Sequence, residues 1–409
     1  MRGQAGTFEF GRLLLAATLL ILASTARAAP IIENVAPGGL SLAAQNEDPT
    51  QTYVFNLQAG ATYNNDFAVL NANTTINGNG ATLQATEPPN NEKGVLTTVF
   101  PLAVNNLTIT GTPGIGTIGV PGSGSGIPAV DGGNSSAIRE QANGVNTLSL
   151  NGVVISGFQM GVLTGSDSGN THLDQVTVSG SKFVNNGAGF DPAFPNTFGH
   201  ALYVGDALSL VVQNSLFCGQ EIGHDVKSRA ASTTVTGSQF YVGTQGPANV
   251  APGLSCNLGS TSNAIDMPNG GTGMVEGDKI FQDFPNGNGS LIRYGEEGLV
   301  AGFTNSLDVS NTSFTNFSSA NTGIAIDQPP PTGCIAPVTG TASDTFTGKL
   351  TPVNPASCVS SGSPGPPPVN GVPEPSSGWL LLTALTGGAG LLAVARRWHH
   401  RASTRLTRS

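Results

Sequence analysis

Two short segments bring together side chains whose types and spacing could do chemistry. Gly199-His-Ala-Leu-Tyr-Val-Gly205 and Gly223-His-Asp-Val-Lys-Ser-Arg229 align with an offset of 24 residues, which sets His200 beside His224 and Tyr203 beside Lys227. If Leu202 and Val226 point inward, strand alternation sends Asp225, Lys227 and Arg229 outward together with Tyr203. His200 and His224 then fall in the inward phase unless they occupy a corner. A base, a cation and an acid on one wall suit β-elimination of a uronide. Lys227, its proton affinity lowered by Arg229, would remove the proton beside the carboxylate; Arg229 would hold that carboxylate, and Tyr203 or His224 would protonate the leaving oxygen. The same wall could instead bind an acidic polysaccharide without chemistry, through His200, Asp225, Lys227 and Arg229. The plain alternative is a pair of turn or core histidines and a solvated ion-pair network with Asp206, Asp225 or Glu221.

Other chemistries find less in the sequence. No three carboxylates recur at one-coil spacing, so neither a metal nor any other cofactor is expected. No closely spaced Asp pair near the basic stretch supports inverting hydrolysis, and no G-x-S-x-G stands between a strand and a helix. The Gly-rich stretch 119–126 lacks the lysine of a phosphate loop and reads as a loop.

The elements that would position this wall repeat along the chain. Val176-Thr-Val-Ser-Gly-Ser-Lys-Phe183, Leu210-Val-Val-Gln-Asn-Ser-Leu-Phe217, Thr233-Thr-Val-Thr-Gly-Ser-Gln-Phe240 and Leu307-Asp-Val-Ser-Asn-Thr-Ser-Phe314 share one template. Each is a short alternating strand, a corner of Gly, Asn and Ser, and then a phenylalanine. Looser copies stand at residues 107–111 and 148–155. The phenylalanines are 34, 23 and 74 residues apart, and the last gap is close to three units of about 25. A strand this short cannot survive alone, but coils stacked about 4.8 Å apart bond to each other and line up like residues. Val178, Val212, Val235 and Val309 should form one internal ladder, and Phe183, Phe217, Phe240 and Phe314 another. A β-sandwich is the competing use of many short strands.

With Asn77-Gly-Asn-Gly-Ala-Thr-Leu83 as an opening coil, the body from about residue 70 to 330 resembles the right-handed parallel β-helix proteins, the group that includes the pectate-lyase-like folds. The right hand is implied by that resemblance. Several lyases of the group are similar in using Lys, Arg, His or Tyr on the outer wall, although no complete lyase signature is matched. Residues 111–130, 185–199 and 241–262 are expected to leave the wall as loops.

Composition agrees with an all-β, single-stranded solenoid. Among 409 residues stand 56 Gly and 27 Pro, with 38% hydrophobic, 6% aromatic and 10% charged residues. Uniform membrane spanning, coiled coils and collagen triplets are excluded, long helices are disfavoured by the Gly and Pro content, and the apolar content is too high for a wholly disordered acidic chain. The few aromatics make a broad stacking platform for sugars doubtful.

The ends read as addresses. Arg2 and Arg12, the apolar run from Leu13 to Ala23 and the small residues up to Ala29 form a secretory signal peptide over residues 1–29, cut near Ala28 or Ala29. At the other end a Pro/Gly/Ser-rich linker, 351–371, precedes Val372-Pro-Glu-Pro375, an apolar segment 379–395 of a length to span a membrane, and a tail with five arginines. Residues 372–409 thereby resemble the PEP-CTERM sorting signal of Gram-negative bacteria, with Val372, Pro373, Glu374 and Pro375 as its motif. The resemblance implies passage through the secretion translocon, recognition by an exosortase-type membrane enzyme and an association with exopolysaccharide. Residues 30–69 are assigned to the N-terminal region or cap and 70–350 to the β-helix.

Without its ends, the stretch 30–371 keeps eight basic against 23 acidic residues, a net of -15, which disfavours nucleic acid as a partner. Cys218, Cys256, Cys334 and Cys358 lie in the exported body, where disulfides are permitted in any of three complete pairings. The expectation is an exported protein, held at least transiently in the inner membrane, that binds or organises extracellular polysaccharide; a polysaccharide lyase or uronate epimerase is the alternative.

Overall fold

In the computed structural model, the residues described are 28–355, apart from 88–93, 112–135, 142–145, 165–174, 188–198, 221–222, 244–245, 258, 260, 284–288, 319–321 and 329–337. Residues 1–27 of the expected signal peptide, the expected sorting motif at Val372–Pro375, the segment 379–395, Cys334 and Cys358 lie outside them. Among the described residues no helix is long and apolar enough to cross a membrane.

The chain is all-β, and every strand ladder among the described residues is parallel. That removes the sandwich, whose paired sheets are antiparallel. The pairings run in three columns, so each coil contributes one strand to each of three parallel sheets of a solenoid. The first sheet starts at Ile31–Val35 and Thr52–Leu57. The second starts at Thr62–Asn64 and the third at Ala68–Leu70. Parallel pairing therefore already runs through residues 31–70. The short helix Leu40–Gln45 adds Leu40, Ala43 and Ala44 to the core.

Alternation directs one residue in two inward, and the register stacks them. In the first sheet Phe55, Ile76, Val104, Leu150, Val178, Val212, Val235, Val275 and Val309 form one continuous buried ladder. The second sheet stacks Phe183, Phe217 and Phe240 with ring centroids 4.7 and 5.0 Å apart, then Ile280, Phe314 and Phe346. The 74-residue gap between Phe240 and Phe314 thus holds two coils, not three: Ile280 occupies the aromatic position, and the loop 243–262 lengthens the first of them. Each fully buried side chain of this kind contributes about 1.5–3 kcal/mol by leaving water.

Corners make the stack possible. Between the first and second sheets, Asn106, Gly152, Gly180, Asn214, Gly237, Gly277 and Asn311 all have φ between +48° and +69°, a region that Asn and Gly enter at low cost. Beside them runs a line of hydroxyls. Val153 N–H donates to Ser181 Oγ, Ser181 N–H to Ser215 Oγ and Ser215 N–H to Ser238 Oγ, at 3.1–3.2 Å. Ser238 N–H then donates to Asp278 Oδ1. At the amino-terminal end Asn56, Asn77 and Asn105 pass side-chain amide bonds from coil to coil at 2.9 and 3.1 Å.

The expected loop at 241–262 begins after Gln239–Val242. It is tied back to the second sheet by a disulfide between Cys218 and Cys256, which with Val184 and Val250 makes a small separate apolar cluster.

Candidate functional site

The site lies on the outer side of the third sheet. Its inner column is Leu96, Ile138, Val162, Leu202, Val226, Ile265, Ile292 and Ile326, all buried. The residue after each of these faces out. That outer column reads Thr97, Arg139, Leu163, Tyr203, Lys227, Asp266, Arg293 and Asp327. From Lys227 onward the charges alternate in sign at the spacing of one coil.

The two Gly-His segments do stack. Tyr203 pairs with Lys227 in register, and the rings of His200 and His224 lie parallel with centroids 5.1 Å apart. Gly223 makes this possible: it has φ +77°, and a Cβ there would overlap the carbonyl oxygen of Gly199. The histidines sit at the corner that begins the strand, so alternation does not drive them into the core. His200 Nδ1 accepts the backbone N–H of His224 at 3.0 Å, and its ring meets the edge of Tyr203 at 5.4 Å. His200 therefore serves the coil-to-coil joint.

Lys227 and Arg229 converge on one carboxylate. Glu297 stands 3.0 Å from Lys227 Nζ and 2.6 Å from Arg229, and both cations lie within 6 Å of the Tyr203 ring centroid. Arg229 also donates to Asn269 Oδ1 at 3.1 Å. Glu297 arrives on a turn that folds back over the wall: its N–H bonds Pro268 O, and Asn269 Nδ2 bonds Gly298 O. The alternation that sends Asp225 and Lys227 outward thus does not expose them. Lys227 is 4% exposed and Asp225 is fully buried, while Tyr203 and Arg229 remain half-buried. The acid expected to offset these cations was Asp206, Asp225 or Glu221. Asp206 is exposed beside Arg229 in the register, Asp225 is buried, and Glu221 lies outside the described residues.

A second group adjoins the first. His224 Nε2 is 3.4 Å from Asp266 Oδ2, and Glu296, ion-paired with Arg293, brings a carboxylate oxygen within 4.8 Å of both. Asp266 is fully buried, and neither of its oxygens accepts a hydrogen bond from the described residues. Burial pushes its carboxyl well above the usual range, the charge of Glu296 adds to this, and Lys227 opposes it. Burial alone does the same to Asp225, whose two oxygens also have no hydrogen-bond partner among the described residues.

Asp266, Asn269, Arg293, Glu296 and Glu297 were not among the residues expected from the sequence. A signal for part of them exists: Val226-Lys227, Ile265-Asp266, Ile292-Arg293 and Ile326-Asp327 repeat an apolar residue followed by a charge. Unequal loops set these pairs 39, 27 and 34 residues apart, which hides the period. No known protein family and no curated protein matches this chain, so the reading of the site rests on its own geometry.

Proposed function

We propose that the protein is an exported, envelope-directed right-handed parallel β-helix of the pectate-lyase-like type. It binds or organises acidic extracellular polysaccharide through the outer side of its third sheet. The observation that carries this reading is the convergence of Lys227 and Arg229 on a single carboxylate beside the Tyr203 ring. Two cations that share one carboxylate next to an aromatic face are arranged as a uronate would need them. Glu297 holds that position from within the chain, so a ligand carboxylate binds by exchanging with it. The right hand of the coils follows the resemblance of the repeats. Delivery by the translocon, sorting by an exosortase-type enzyme through Val372–Pro375, and an anchor at 379–395 follow the sequence pattern of the two ends.

The second reading, a lyase or uronate epimerase, draws on the turn that carries Glu297 over the wall, because loops flanking the wall are what a catalytic groove requires. Against it stands the occupancy of Lys227 and Arg229 by Glu297, which pairs both the expected base and the expected carboxylate clamp.

The test is binding of the purified full chain to acidic and neutral polysaccharides at several salt concentrations. Lys227→Ala with Arg229→Ala should lower affinity for acidic chains roughly 10- to 100-fold, the equivalent of one charge-assisted contact. Glu297→Gln should raise it, because the internal competitor is neutralised. Salt should weaken the parent more than the double variant. Unchanged affinity in folded variants would remove this wall as the binding surface, and appearance of unsaturated uronide product would move the assignment to the lyase.

A further inference from the structure

We propose that His224, Asp266 and Glu296 form a site for one divalent ion of the zinc class, separate from the Lys227 and Arg229 contact. The inference goes beyond polysaccharide binding and does not depend on it. Three observations meet here. The first is the donor set: one imidazole nitrogen and two carboxylates, all within 4.8 Å of one another. Mixed nitrogen and oxygen ligands suit Zn²⁺, Co²⁺ or Mn²⁺, whereas calcium takes six to eight oxygens.

The second is the state of Asp266. It is fully buried, it is one of the three donors, and neither oxygen accepts a hydrogen bond from the described residues. Apart from the 3.4 Å approach of His224 Nε2, a buried carboxylate in that condition lacks the hydrogen bonds that its desolvation demands, and a cation supplies the missing interaction. The third is the spacing. Ligands about 2.1 Å from a tetrahedral ion lie about 3.4 Å apart, and His224 Nε2 and Asp266 Oδ2 are 3.4 Å apart. Glu296 is the ligand that must close in. Its pairing with Arg293 through Oε2 leaves its other oxygen to turn toward the ion, with Arg293 fixing the carboxylate from behind. The charges of Lys227 and Arg293 beside Asp266 oppose a cation, but each is paired with a glutamate, Glu297 and Glu296 respectively. A fourth position remains for water or a ligand oxygen.

The experiment uses the full chain. His399 and His400 at the carboxyl end could also take a metal, so both are changed to Ala in every sample. The protein is stripped with chelator, reloaded with Zn²⁺ or Co²⁺ and desalted, then read by elemental analysis and by the visible absorption of Co²⁺. One equivalent should remain bound, with the strong absorption of a low-coordinate site. Asp266→Asn should weaken binding at least 100-fold, and Glu296→Gln at least 10-fold. Asp278→Asn, a buried carboxylate outside the cluster, should leave binding unchanged, with circular dichroism confirming the fold of each variant. No retained metal in the reloaded parent, or equal retention by the Asp266→Asn variant, would overturn the site.

Discussion

The first and third sheets are made by the same coils and pair in the same parallel sense, yet water reaches their outer sides very differently. Along Gln175–Ser179 and Thr272–Glu276 of the first sheet, buried residues alternate with exposed ones such as Thr177 and Met274. Along Ser136–Glu140, Met160–Thr164 and Asn263–Met267 of the third sheet, every residue is buried. Covering a sheet on both faces normally calls for apolar residues on both, but the covered outer column here holds Arg139, Lys227 and Asp266. The difference teaches where chemistry can reside on a solenoid. Charges on the first sheet would be solvated and ordinary, whereas those on the third are desolvated and must find partners.

The comparison requires the inner sides of the two sheets to be equivalent. Leu150 of the first sheet and Ile265 of the third are both fully buried in the continuous core. Leu150→Ala and Ile265→Ala should each destabilise the fold by about 2–5 kcal/mol, measured by thermal or denaturant unfolding. A third-sheet loss far smaller than the first-sheet loss would mean that the outer cover, not the core, holds that wall in place.

Those inner ladders were the most legible part of the sequence. Val178, Val212, Val235 and Val309 do lie in one column, because period-2 alternation and a left-handed corner residue are local features that each coil repeats. Val275 and Ile280 were missed: their coil has Ile where the template has Phe, and a 20-residue loop precedes it. The stacking of His200 on His224 and of Tyr203 on Lys227 was equally legible, since the two segments differ by one coil without a long insertion. Hidden from the sequence was the cover. Glu297 lies 70 residues from Lys227 and reaches it only because a turn two strands further along the wall folds back. Among the cysteines, three pairings were open, and Cys218 with Cys256 is decided by the loop that returns to the second sheet.

Buried carboxylates sharpen the contrast at the next scale of effect. Asp278 stands in the corner line between the first and second sheets, where Ser238 N–H bonds it, and burial still raises its pKa to about 7. The folded state then holds a proton that the unfolded chain, near 4, has lost. Stability from this group is full below about pH 4 and falls as the pH rises to about 7. Asp278→Ser continues the hydroxyl line of Ser181, Ser215 and Ser238 and does not titrate. It should stabilise the protein by roughly 2–4 kcal/mol at pH 8 relative to its effect at pH 4, read from unfolding curves at both values. Asp225→Asn on the third sheet should show the same sign, because burial raises Asp225 too. A variant whose advantage does not grow with pH would show that the carboxylate reaches water.

The smallest expected effect is the most direct test of which wall matters. Thr177 lies on the outer side of the first sheet, exposed, with Ser149 and Val211 as its neighbours in the coils on either side. Its hydroxyl is free to bond water and no charged group faces it across the ladder, so removing it leaves neither a cavity nor an unpaired buried group. Thr177→Ala should change stability by no more than about 0.5 kcal/mol and leave polysaccharide affinity unchanged. Lys227→Ala with Arg229→Ala alters a covered wall in which each cation is held by Glu297, and should change both quantities. The two variants measured side by side, by unfolding and by glycan binding, separate a ligand surface from a solvated scaffold. If Thr177→Ala weakened binding as much as the double change on the third sheet, the glycan would lie along the open first sheet. The cover over Lys227 would then be a device of stability alone.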